Sequence, residues 1–552
     1  MSVPAFTRVI LFAVFLGLLG AASEAATITV TSREDGGPGT LRQAIADAGD
    51  GDTIVFNIPG GNSITVYSRL DVDHQLIIDG GGTQVIGAHG ADVDILNLVA
   101  GASNGSVIQD LAVIDGGVGI FLMNSNGTQI LGCRVGTDWS DTTGVGNTTG
   151  IQVTNAANVV VGAPGRGNVV SGNDSYGIYL SASSNVTVQG NFIGTDSTGM
   201  TALSGQNFGV YVLYAHQCTF GGDRAAGEGN LVSGNTQHGL YLGSNVGTTY
   251  GLVVTGNLIG LNAVQSAAVP NGTGVHVWEN ASDLEIGRPQ AGRHNVIAGN
   301  TSQGIDLDDC NDVTVQNNLV GLNEYGTVFA NGGNGVNLND ATDNLVGGRL
   351  HPVYRERNVI SGNGNYGVRI TNASTGNTVA GNFIGVDATG NSAAANLGGG
   401  MYIVDGNANL IGGASPDSVT ARGNLIAGNT GHGLHGIGGA HNAVFGNLIG
   451  LTADGVTAAP NDDGIHLTGV FDWQIGSAEP HRGNVIAGNG DIGIVVSGGG
   501  RHRVQGNVFG TSRDGLTQVA NGDQDVYLSG AKGCLIGGSI SGEGNLMAGG
   551  TV

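Results

Sequence analysis

The chain has 552 residues, of which 104 are glycine and only 11% are charged, and its formal net charge is −24. That charge argues against a nucleic-acid partner, whose phosphate backbone selects the opposite sign, and makes divalent cations natural companions. Glycine at this density without a Gly-X-Y period sets collagen aside and implies many tight turns.

Arg8 precedes an apolar run from Val9 to Gly20, followed by Ala21, Ala22, Ser23, Glu24 and Ala25. The pattern reads as an export signal cleaved after Ala25 and predicts a secreted or cell-surface protein. No later stretch reaches the ~20 consecutive apolar residues of a membrane helix, so no membrane span is expected. The predicted organisation is a signal peptide over 1–25, an N-terminal cap and first strands over 26–75, and repeats over 76–552. Within the cap, Thr40-Leu-Arg-Gln43 looks like a capping box. It opens a short helix to about Ala48, with Leu41, Ala44, Ile45 and Ala48 on one face.

Self-comparison then organises the rest. The phrase Asn-x-x-x-Gly-Asn opens at Asn168, Asn230, Asn295, Asn358, Asn424 and Asn484, at spacings of 62, 65, 63, 66 and 60 residues. A degraded copy opens at Asn545, and the sequence shows no cap beyond it. Between the copies runs a second phrase, from Asn191-Phe-Ile-Gly194 to Asn507-Val-Phe-Gly510. Each unit also holds two short turns beginning with glycine, such as Gly177-Ile-Tyr-Leu180 and Gly209-Val-Tyr-Val212. Apolar residues at every second position, in runs too short for helices and punctuated by Gly or Asn, predict short strands. Repeats of this regularity predict a solenoid whose stacked Asn amides bond from coil to coil. Cys133, Cys218, Cys310 and Cys534 fall in different coils, too far apart for disulfides, and read as buried free thiols.

The phrases Gly-Ile-Tyr-Leu, Asn-Val-Thr-Val-Gln-Gly-Asn and Phe-Ile-Gly-Thr-Asp resemble the repeats of the pectate-lyase-like superfamily. This resemblance covers roughly residues 76 to 550 and implies an all-β, right-handed parallel β-helix with a short N-terminal capping helix. It leaves the chemistry open, because that superfamily includes polysaccharide lyases, hydrolases, epimerases and proteins without known catalysis. Asp308-Asp309-Cys310 and Gly431-His-Gly433 resemble two phrases of the polygalacturonase family. Their separation here is some four coils, against one in that family, so no role passes to His432. No Arg-Pro-Lys-like phrase of the pectate lyases is present.

A solenoid interior is reserved for Ile, Val and Leu, so a site must come from outward positions aligned across coils. The third residue of each glycine-led tetrad gives Phe121, Gln152, Tyr179, Tyr211, Tyr241, His276, Asp306, Asn337, Arg369, Tyr402, His435, His466, Val495 and Tyr527. Two residues on, the same face offers Trp278, Asp308 and Asn339. The candidate catalytic residues are therefore Asp306, Asp308, Arg369 and His276. The candidate substrate-binding residues are Trp278, Asn337, Asn339, Tyr241 and Tyr402, the tyrosines offering flat surfaces of the kind sugar rings stack on. Three chemistries fit. Asp306 and Asp308 can form a hydrolase pair in which one carboxyl has a raised pKa. Arg369 or His276 can remove a C5 proton from a uronate whose carboxylate meets Ca²⁺ held by the acidic group, Asp309 and Asp340 included, with Asn337 and Asn339. Or the face only binds an extracellular polysaccharide or Ca²⁺. The rival class is a non-catalytic adhesin or structural protein. No cofactor is required, and the oligomeric state is open. Asp138, Asp196 and Asp387 lie in turns where Asp more often bonds its own backbone than a metal. The histidines at 238, 432, 435, 441 and 466 look scattered, without zinc-site spacing.

Overall fold

A computed structural model describes residues 25–203, 205–348, 356–413 and 423–548. The predicted export signal lies outside the described residues except for Ala25. Among the described residues the short strands assemble into three long parallel sheets of 18, 16 and 17 strands. The chain visits them cyclically: Val118–Met123 in the second sheet, Gln129–Leu131 in the first, Arg134–Val135 in the third, then Thr149–Thr154 back in the second. Every sheet pairing is between successive coils, as in Tyr176–Ser181 against Phe208–Leu213. The fold is a right-handed parallel β-helix, and each 60-odd-residue sequence unit is two coils. The ladders begin upstream of residue 76, since Thr27–Val30 already pairs with Thr53–Phe56 and that strand with Ile77–Asp79.

Burial follows from the pairing. Successive strands of the second sheet place Ile151, Ile178, Val210, Leu240, Val275, Ile305, Val336 and Val368 in one inward stack, all essentially inaccessible. The helix Leu41–Asp47 closes the first coil with Leu41, Ala44, Ile45 and Ala48 buried. Only half of the capping box forms. Thr40 Oγ1 accepts from Gln43 N at 3.2 Å, whereas the Gln43 amide turns forward to Asp47. Cys133, Cys218 and Cys310 are buried free thiols, and burial pushes the first two up to about 12 and 11. Cys534 is only partly buried, in the last described coil, whose Leu528, Leu535 and Ile536 are also exposed.

The repeated asparagines explain the regularity. Asn168, Asn191, Asn230, Asn257, Asn295 and Asn318 form one ladder in which each Nδ2 donates to the next Oδ1 at 2.9–3.1 Å. The ladder continues through Asn358, Asn382, Asn424, Asn447, Asn484 and Asn507 to Asn545. The closing Asn of each first phrase feeds a second ladder, such as Asn235–Asn271–Asn300–Asn331–Asn363. The Asn257 amide is fully used. Asn257 Oδ1 accepts from both N and Nδ2 of Asn230, while its Nδ2 donates to Phe220 O and Asn295 Oδ1.

Replacing Asn257 with Ala would strand those buried partners, each worth about 1–3 kcal/mol when left unmade. Asn257→Ala is therefore expected to destabilise the protein by at least ~2 kcal/mol. Asn391→Ala, at an exposed turn, should stay within ~0.5 kcal/mol. Urea denaturation of the two variants checks the contrast.

Candidate functional site

The outward column of the second sheet has the register expected from the tetrads. Tyr179 pairs with Tyr211, then in order Tyr241, His276, Asp306, Asn337, Arg369, Tyr402, His435 and His466. Trp278, Asp308, Asn339 and Thr371 form the neighbouring column. Neighbours in a column are one coil, ~4.8 Å, apart.

A second outward column was invisible to strict alternation. The residue before each tetrad glycine faces the same side as the third residue, since the rings of Tyr176 and Tyr179 are 5.3 Å apart. The reason is the glycine. Gly177 is skipped by the pairing, and a Cβ there would come within 2.7 Å of Gly209 O on the next coil. The backbone folds inward at that point and resets the parity. Phe208, His238, Tyr366, His432 and Asp463 stand at equivalent positions, each directly before a glycine.

Together the columns make a continuous aromatic surface. Tyr176 stacks on Phe208 at 5.4 Å and Phe208 on His238 at 5.5 Å. Alongside, Tyr179, Tyr211, Tyr241 and His276 stack at 5.6, 5.0 and 5.0 Å, the last pair only 6° from parallel. Trp278 lies 5.0 Å from Tyr241, and its buried indole N–H has no hydrogen-bond partner among the described residues.

Polar groups take over where the rings end. His276 Nδ1 lies 3.0 Å from Asp306 Oδ2, Asn337 Nδ2 donates to Asp306 Oδ1 at 2.8 Å, and Arg369 donates to Asn337 Oδ1 at 3.3 Å. Asn339 Nδ2 donates to Asp308 Oδ1 at 2.6 Å. The His276 and Asp306 side chains keep 12% and 19% of their surface, so the pair still reaches solvent. Burial works to raise the Asp306 carboxyl, but the His276 hydrogen bond and charge and the Asn337 amide outweigh it. The carboxyl is held below its ordinary value, the direction opposite to that expected of the raised-pKa acid of a hydrolase pair. An ionised Asp306 instead orients His276 through Nδ1, leaving Nε2 for a proton.

Asp309 and Asp340, the expected Ca²⁺ residues, are exposed bend residues with left-handed φ of 49° and 50°. They belong to no cluster of three carboxylate, thiol or imidazole donors among the described residues. Asp196 and Asp387 serve their own turns: Asp196 Oδ1 accepts from Thr198 N and Met200 N, and Asp387 Oδ1 from Thr389 N and Asn391 N. Asp138 does the same for Ser140 N and Thr142 N.

The histidines that looked scattered are corrected by the fold, which brings His432, His435 and His466 together around Asp463. His432 stacks on His466 at 4.5 Å, and His435 stands 5.1 and 5.2 Å from the two. The signal was present as His432-Gly-Leu-His435 and Asp463-Gly-Ile-His466, the same frame one coil apart. The two frames lie about thirty residues apart along the chain, a separation that no zinc-site spacing marks.

Two of these imidazoles set an acid limit. Burial, then His276, holds His238 down at about 4, and burial, then His432 and His466, does the same to His435. Unfolded, each takes a proton near pH 6.5. Between pH 6.5 and about 4 the unfolded chain therefore binds more protons, so stability falls as pH drops through that window. Urea midpoints measured at pH 7 and pH 5 should shift less in His238→Phe/His435→Phe than in the wild type. An equal shift would assign the acid sensitivity to other groups.

The periplasmic copper-binding protein (NosD) family model matches residues 55–212. No curated protein matches the chain. Among solved structures, the chain is similar to the A-module of the Azotobacter vinelandii mannuronan C-5 epimerase AlgE4, at 14% identity over 81% of this chain and 94% of that one, TM-score 0.35. It is similar to the catalytic unit of the GH87 alpha-1,3-glucanase of Streptomyces thermodiastaticus strain HF3-3, at 15% identity over 75% and 70%, TM-score 0.35. It is also similar to pectate lyase Pel9A, at 15% identity over 73% and 80%, TM-score 0.28. With three parallel ladders wound from one repeated coil, the fold of the chain is a right-handed parallel β-helix.

Proposed function

We propose that this is a secreted protein that binds an extracellular polysaccharide along its second sheet and modifies it by proton transfer at His276 and Asp306. The observation that carries the reading is the aromatic surface running directly into an oriented, solvent-reaching imidazole–carboxylate pair. The rings of Tyr179, Tyr211 and Tyr241 take up one another's faces, so a chain of sugars laid along the axis meets their outer edges and hydroxyls, one ring per coil. Trp278 borders the reacting position, Tyr402 extends the binding face three coils beyond Asp306, the buried Asn337 holds Asp306 in place, and Asn339 and Asp308 offer hydrogen bonds to hydroxyls.

The chemistry this arrangement supports best is removal of a carbon-bound proton beside a carboxylate, the first step of a lyase or an epimerase acting on a uronate. His276 Nε2 takes the proton while Asp306 stabilises the imidazolium, and Arg369 faces the substrate carboxylate. A chain of net charge −24 repels a polyuronate over distance, so affinity should rise with added salt or Ca²⁺. The Ca²⁺ contribution of Asp309 and Asp340 belongs to this proposal. The second reading, binding without turnover, is favoured by the engagement of both Asp306 oxygens and by the Asn339 contact to Asp308.

The test is an activity and binding screen of the mature protein on uronate-containing and neutral polysaccharides, with Ca²⁺ or chelator, following unsaturated products, C5 inversion and reducing ends. His276→Ala and Asp306→Asn should each lower turnover by about 10²-fold or more. Tyr211→Ala should weaken binding roughly 3- to 10-fold, the range expected for one aromatic contact. Binding without turnover in the wild type would select the non-catalytic reading, and absence of both would reject the proposal.

A further inference from the structure

The face described above does not use the imidazole cluster further along the same sheet. His466 lies five register steps beyond Asp306, or ~24 Å at one coil per step, and outside the residues matched by the family model. Here Asp463 Oδ2 is approached by His466 Nδ1 at 2.8 Å and by His432 Nδ1 at 3.2 Å. One donor atom from each of the three residues lies within 4.8 Å of the other two. The Asp463 side chain is only 7% exposed and is fixed from behind, its Oδ1 accepting Ile492 N at 3.1 Å. Asp462 Oδ2 stands 3.4 Å from His432 Nδ1 at the solvent edge.

The local charge is lopsided. Among the described residues, the ion pairs of Asp462 and Asp463 are with His432 and His466, and none brings Lys or Arg to either carboxylate. His432 Nδ1 faces both carboxylates and also the Asp463 N–H at 3.4 Å, so neither neutral tautomer serves all its neighbours.

We propose that His432, Asp463 and His466 form a site for one imidazole-preferring divalent transition metal, Zn²⁺ or Cu²⁺. Two imidazoles and a carboxylate on adjacent coils are a three-ligand set that leaves a fourth position open. Ligands bound at 2.0–2.1 Å sit roughly 3.3 Å apart around a tetrahedral ion. Two of the contacts are already near that spacing, so closure needs imidazole movements of about 1 Å. The Ile492 N–H acts as an outer partner holding the carboxylate, and His435 walls one side.

The experiment titrates chelator-stripped mature protein with Zn²⁺ by calorimetry and with Cu²⁺ by electron paramagnetic resonance. One ion per chain is expected, with nitrogen superhyperfine structure from two imidazoles in the Cu²⁺ spectrum. His432→Gln, His466→Gln and Asp463→Asn should each weaken binding roughly tenfold or more, while the exposed His441→Ala leaves it unchanged. Circular dichroism checks that each variant folds, and if buried Asp463→Asn does not, the two exposed-edge histidine variants still decide. Binding of Cu²⁺ but not Zn²⁺ supports the site and identifies its ion. Failure of the wild type to bind either ion, or binding that survives in His432→Gln/His466→Gln, overturns the proposal. Because the readout is metal binding, the outcome is separate from that of the polysaccharide screen.

Discussion

The structure depends on the Asn amide ladders. A parallel stack of short strands has weak lateral specificity, because slipping one residue costs little where both faces are small. A buried amide changes that. It must meet four partners, and only in-register stacking supplies them from the coils above and below. Asn257 meets Asn230, Asn295 and Phe220 O in this way, and the same pattern recurs in almost every coil. Register is thereby set at the bends, and the strands between them inherit it.

Inherited register turns sequence distance of about thirty residues into a spatial distance of one coil. Tyr241, His276, Asp306, Asn337 and Arg369 become a line of neighbours because the amides beneath them cannot slip. The aromatic run and the polar run are then two stretches of one surface. His276 joins them, stacked on Tyr241 and bonded to Asp306. The same alignment places Tyr366 against Tyr402 at 4.5 Å and leads on to the imidazole cluster.

Electrostatics separates the two acidic positions in that surface. Asp306 and Asp463 are both buried enough for desolvation to oppose their charge, and in both the imidazole contacts win, so both carboxyls are held below the ordinary value. Their surroundings differ. Asp306 is bracketed by one imidazole and an amide, the environment of a proton-transfer pair. Asp463 is bracketed by two imidazoles and bordered by Asp462, with burial and the charges of Asp463, Asp523 and Asp462 raising the nearby Asp491 carboxyl.

By itself the sequence determined the coil, its length, the inward and outward residues of each glycine-led tetrad, the capping helix and the structural role of the asparagines. All are local patterns repeated often enough to read. It also placed His276, Asp306, Asn337 and Arg369 in one column, since that needs only the repeat phase. The direction of the Asp306 pKa shift came from tertiary structure, because it depends on which atoms of His276 and Asn337 touch the carboxylate. The second outward column did too. Alternation assumes an unbroken pleat, and the close approach of Gly177 to Gly209 O breaks it, turning Tyr176 and its equivalents, His432 and Asp463 among them, to the outside.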